Sequence, residues 1–155
     1  MEFAEILPAG RIAAMEAAGL WRGRTLADYL DEAVARSPGR TAIASHRAAD
    51  GRTTRISYAE LGAIVDRIAR GLLARGIGPR DVVSCQLPNW WEFTALHLAC
   101  VRIGAVTNPV MPIFRQHELS FMLRLAETRL MVIPESYRGF DYPAMIEGLR
   151  PSLPD

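Results

Sequence analysis

Lysine is absent. All 18 basic side chains among the 155 residues are arginines, running from Arg11 to Arg150. A drift toward GC-rich codons produces such a bias without any function, yet the chemical consequence stands. No side chain can form a Schiff base, act as an amine nucleophile or serve as the lysine of a phosphate loop. Cysteine is scarce as well. Cys85 and Cys100 are too few and too far apart for a CxxC metal pair, and each lies in an apolar run that suits a buried, reduced thiol. His46, His97 and His117 make no HExxH or His/Cys cluster, so no metal site is expected.

An excess of either charge is missing too. Seventeen acidic residues against 18 arginines leave a net charge of +1, which argues against a broad nucleic-acid footprint. The most hydrophobic stretch, Trp90 to Val106, is broken by Glu92, His97 and Arg102 and is too short and polar to span a membrane. Glu2 and Glu5 stand where a secretory signal is basic. The expectation is a cytoplasmic protein that engages neither nucleic acid nor membrane. What is present is globular: the chain is 50% hydrophobic and 23% charged, and long enough for one core.

Residues 1–24 form a short amphipathic lead-in punctuated by Gly19 and Gly23. Thr25 and Asp28 then have the spacing of a capping box, opening a helix that Ser37-Pro38 stops. Two short extended runs, Thr41 to Ser45 and Arg55 to Ser57, flank Ala49-Asp50-Gly51 and predict a β-hairpin. Ser57 and Glu60 make a second capping box, and Leu61, Ile64, Val65, Ile68, Leu72 and Leu73 form its helical stripe, ended by Gly76. Asp81 to Leu87 reads as a buried strand, and Pro88-Asn89 turns the chain into a helix from Trp90 to about Gly104. A short strand over Ala105 to Thr107 and a Pro-punctuated loop, Asn108 to Arg115, come next. A helix (Gln116 to Glu127), a strand (Arg129 to Pro134) and a weak helix (Tyr142 to Leu149) complete the pattern before Pro151 to Asp155. This alternation predicts an α/β fold. Residues 25–155 form a doubly wound, mainly parallel sheet with helices on both faces, after an N-terminal hairpin.

The glycines of Gly76-Ile77-Gly78 follow a helix and precede a strand, the reverse of a phosphate-binding turn, so they are a helix stop. The segment Pro88 to Glu92 lies at a strand's carboxyl end, where open α/β sheets hold ligands. There Asn89 is a candidate helix cap. Trp90 and Trp91 either wall an apolar pocket or pack against a neighbouring helix or domain, and large aromatics favour packing. The apolar loop Asn108 to Arg115 also follows a strand, so Phe114 and Arg115 either line the same pocket or lie under another domain. His117 and Glu118 could form an acid-base pair, but adjacent residues on a helix do not face one way and nothing supplies a third group, which argues against it.

Three stretches carry a family likeness: Ile56 to Leu61 with its helix, Gly78 to Val83 leading to Leu87-Pro88-Asn89-Trp90, and Arg102 to Pro109 followed by His117 to Leu119. In this order and spacing they resemble the front part of adenylate-forming (AMP-binding) acyl-CoA synthetases. The wording Met111 to Leu119 is most similar to cyclohexanecarboxylate-CoA ligases and medium-chain acyl-CoA ligases. The resemblance implies acyl-adenylate formation followed by thioester formation in a parent enzyme that uses ATP, Mg2+ and coenzyme A. It also implies that the phosphate loop and catalytic lysine lie later in such a chain, so no catalytic, cofactor-binding or metal residue carries over. Two readings follow. One is an N-terminal piece of a carboxylate-CoA ligase, inactive alone, whose partners are the remaining domains and, when isolated, its own copies. The other is a free-standing interaction or small-ligand module on the same fold.

Overall fold

A computed structural model describes residues 7–48 and 50–150. Glu2 and Glu5, Ala49 of the hairpin turn and Pro151 to Asp155 lie outside the described residues.

The capping boxes form as the sequence spacing requires. Thr25 opens α2 (Leu26–Arg36), which follows α1 (Ala9–Ala17), and Ser57 opens α3 (Tyr58–Leu73). In each, the cap hydroxyl accepts from the third helical N–H, and the acid there reaches back to the cap backbone. α1 buries no residue. β1 (Thr41–Arg47) and β2 (Arg52–Ser57) pair antiparallel between α2 and α3.

The main sheet has three parallel strands, β3 (Val82–Cys85), β4 (Val106–Pro109) and β5 (Thr128–Val132), in the order β4-β3-β5. α4 (Trp91–Ile103) connects β3 to β4, and α5 (Gln116–Leu125) carries the chain back over β3 to β5. These crossovers run in opposite directions, so their helices cover opposite faces. Alternation along the strands separates the two cores. Val83, Cys85, Leu130 and Val132 join Leu61, Val65, Ala95 and Ala99 beneath α3 and α4. Met131 and Ile133 join Leu119, Leu123, Tyr142 and Met145 beneath α5 and α6 (Tyr142–Leu149). On the first face, Arg102 of α4 ties the helices together, with Nη2 2.5 Å from Asp31 of α2 and Nε 3.1 Å from Asp66 of α3. Gly104 ends α4 at φ 72°, and a Cβ there would crowd Pro79 at 3.4 Å.

Two local expectations need correction. Trp90, not Asn89, is the N-cap of α4, and it contributes no side-chain hydrogen bond. A two-stranded ribbon, β6 (Ser136–Tyr137) and β7 (Phe140–Asp141), precedes α6 where no strand was expected. Arg138 and Gly139 join its strands at φ 52° and 73°, the pair of positive values a type I′ turn needs. Among the described residues no helix is long and apolar enough to cross a membrane.

Candidate functional site

The carboxyl ends of β3 and β4 lie side by side, but the chain leaves them toward opposite faces. The two outgoing segments leave a crevice between them at the carboxyl ends of the strands, the end where open α/β sheets hold ligands. The crevice here has a volume of about 210 Å³ and runs between Leu87, Pro88, Asn89 and Phe93 on one side and Pro109 to Pro112 on the other. A second cavity of about 360 Å³ lies across the loop, lined by Met111, Pro112, Ile113, Arg115, Tyr137, Arg138, Phe140 and Tyr142. The loop Val110 to Arg115 therefore separates the two spaces.

That loop is held by side chains from three directions. Val110 N–H first extends the β3 ladder by donating to Cys85 O at 2.8 Å. Gln86, at the end of β3, then donates through Nε2 to Met111 O at 3.0 Å and to Phe114 O at 2.9 Å. The Tyr142 hydroxyl donates to Pro112 O at 2.8 Å. Arg115 Nη1 curls back to the carbonyls of Pro112 (2.7 Å) and Phe114 (2.9 Å). Three carbonyls of this apolar loop, those of Met111, Pro112 and Phe114, thus accept side-chain hydrogen bonds, while Met111 and Ile113 are 58% and 68% exposed.

The four residues singled out from the sequence separate into two pairs. Trp90 is not among the residues lining either cavity; its ring meets Tyr137 edge-on at 5.9 Å, and the Arg47 guanidinium lies 4.2 Å over it. Arg115 lines the larger cavity, its guanidinium 3.8 Å from the Phe140 ring. Trp91 packs against the core under α3 and α4, and Phe114 against the core under α5 and α6. The structure brings Arg115 and the ribbon β6–β7 together but does not put the two tryptophans side by side in one wall. Gln86 and Tyr142 are the loop-holding residues that sequence reasoning missed. Tyr142 was visible only as the start of a weak helix, and Gln86 only as one polar residue in an apolar strand.

Electrostatics at this end of the sheet is arginine-rich, with Arg47, Arg115 and Arg138 each stacked on an aromatic ring. Glu118 is not a free acid-base group. The Arg115 backbone N–H donates to its carboxylate at 3.0 Å and holds its pKa below the ordinary value. His117 is exposed beside it. Among the described residues no three His, Cys, Asp or Glu side chains gather to hold a metal ion, and the phosphate-loop lysine has no counterpart in the chain. The described residues gather no carboxylate set for Mg2+, and no step through Mg2+ or ATP is assigned to them. What they can do is shape and rim an apolar crevice.

Comparison with known proteins places this arrangement. The chain is 37% identical over 138 residues to a 2-hydroxy-7-methoxy-5-methyl-1-naphthoate–CoA ligase from Streptomyces carzinostaticus, covering 89% of this chain and 24% of that protein. It is 32% identical over 144 residues to the medium-chain fatty-acid–CoA ligase of Escherichia coli K12, covering 93% of this chain and 25% of the ligase. Among solved structures, the apo form of MbtA from Mycobacterium smegmatis superposes with a TM-score of 0.78 at 32% identity, over 94% of this chain and 26% of that one. The chain thus spans about a quarter of the length of the relatives it matches. Since residues 30–154 match the AMP-binding enzyme family, the chain belongs to that family.

Proposed function

We propose that residues 25–155, after a lead-in over 1–24, form one α/β subdomain at the front of an ATP-dependent carboxylate–CoA ligase. In this reading the subdomain builds one wall of the ligase's active site and performs no nucleotide chemistry alone. The observation that carries the reading is the crevice at the carboxyl ends of β3 and β4 with its side-chain-pinned loop, in a chain of the AMP-binding family. Trp90 and Arg115 lie at this end of the sheet, and Trp91 and Phe114 support it from the two cores. Charge that develops on a transferring phosphoryl group needs fixed cations and aimed donors. Without lysine or a carboxylate cluster among its described residues, this segment leaves ATP, Mg2+ and coenzyme A to the rest of the ligase. Two buried free thiols fit a reducing cytosol.

The test is pyrophosphate release. The chain is incubated with ATP, Mg2+ and octanoate, cyclohexanecarboxylate or salicylate, with and without coenzyme A. The expected result is no turnover above background with any acid. Measurable pyrophosphate from the purified chain would refute the reading. A coding sequence that continues past Asp155 into a glycine-rich, lysine-containing loop would support it, and a native stop codon there would favour a free-standing module. We also expect isolated copies to associate, since a segment that belongs against other domains presents apolar surface to water.

A further inference from the structure

The junction of β3 and β4 holds one polar side chain that the proposed wall does not by itself explain. Gln86 has no exposed surface. Both of its side-chain hydrogen bonds run from Nε2 to carbonyls across the crevice, Met111 O and Phe114 O. That settles which end of the amide is which, because the flipped orientation would set its oxygen against two carbonyl oxygens. Its own Oε1 meets no donor. A buried orphan acceptor works against folding, so a side chain kept only to fill this space would do better as methionine.

What the carboxamide supplies, and a methionine cannot, is the position of two carbonyls. Arg115 and Tyr142 also hold the loop, but at Pro112 and Phe114. Among the described residues Met111 O takes its side-chain hydrogen bond from Gln86. We infer that Gln86 is a positioning residue: its two hydrogen bonds set the conformation of Met111 to Phe114 and thereby the width of the crevice between Leu87 and Met111. The consequence for catalysis rests on the crevice being part of the ligase wall; the clamp itself does not.

Gln86→Met and Gln86→Leu in the 155-residue chain test it, read by amide hydrogen exchange and by the methyl resonances of Met111 and Ile113. Expected is roughly tenfold faster exchange at Val110 and Phe114, with α3 and the β1–β2 hairpin unchanged. The Met111 and Ile113 methyl signals should shift or broaden in the same variants. Unchanged loop amides and methyls would overturn the assignment. So would faster exchange spread evenly over both faces of the sheet, or unfolding of both variants, since either makes Gln86 a general structural residue. None of these readouts involves ligase chemistry, so their failure is separate from failure of the pyrophosphate test.

Discussion

The guanidinium of Arg115 lies 3.8 Å from the ring of Phe140, which joins the loop after β4 to the ribbon β6–β7, 25 residues further on. The same guanidinium donates to Pro112 O and Phe114 O. A partly desolvated cation–π contact contributes about 1 kcal/mol and each hydrogen bond about the same. Arg115→Ala is therefore expected to destabilise the chain by about 3 kcal/mol, lowering the melting temperature by roughly 6–12 °C for a domain of this size. Arg115→Lys should recover little, because an ammonium lacks the planar fork that stacks and donates together. Thermal unfolding followed by circular dichroism measures both. Full stability in the lysine variant would show that charge alone suffices.

Acid should unfold the chain through its helix caps. The Ser57 backbone N–H, and then its hydroxyl, hold the Glu60 carboxylate below the ordinary value of 4.5. Thr25 does the same for Asp28 and the Arg115 N–H for Glu118. A carboxylate lowered in the folded state contributes stability that is complete above its unfolded pKa and is lost as pH falls through the folded one. Stability should then be level from neutrality to about pH 4.5 and decline below it. Glu60→Gln should lower the neutral plateau and flatten the acid decline. Urea midpoints from pH 7 to pH 3 check this, and an acid slope identical to that of the parent would rule out Glu60 as a contributor.

How much of this was legible depended on the range of the interaction. Thr25 with Asp28 and Ser57 with Glu60 were readable because each box closes within one turn. The alternation of strands and helices gave the parallel sheet and its two covered faces, since βαβ crossovers leave a periodic imprint. Gln86 was invisible as a clamp because its acceptors are 25 and 28 residues away, and nothing local marks a glutamine that faces them. The β6–β7 ribbon was missed because two-residue strands carry no period. Its one local cue was a residue pair ending in glycine between the aromatics Tyr137 and Phe140. Asn89 has the right chemistry for a cap, yet the extended residue before the first helical turn is Trp90.

The two thiols should be inert until the chain opens. Cys85 ends β3 and Cys100 lies on α4, both buried and unpaired. Burial pushes both thiols above their ordinary pKa, so at neutral pH they are protonated and poor nucleophiles. Ellman's reagent should label neither in native buffer at pH 7.5, and both in urea. Under native conditions the slow labelling rate should track the unfolding equilibrium. Rapid native labelling of either cysteine would show that the core under α4 opens locally.

Phe121 and Leu125 sit four residues apart on α5, 61% and 67% exposed, and so share one side of the helix. Beside them β5 is hydrogen-bonded to β3 on one edge, with the other edge open among the described residues. A cavity of about 570 Å³ lined by Leu123, Leu130 and Met131 lies at this junction, with Arg124, Glu127 and Arg129 around it. An apolar helix side next to an open strand edge is the kind of surface that a second copy covers when nothing else does. The mass seen by multi-angle light scattering should rise with concentration. The pair Phe121→Glu and Leu125→Arg should return the chain toward monomer with its far-ultraviolet circular dichroism unchanged, because neither side chain belongs to the core. A parent chain that stays monomeric at high concentration would remove α5 and β5 as an association face.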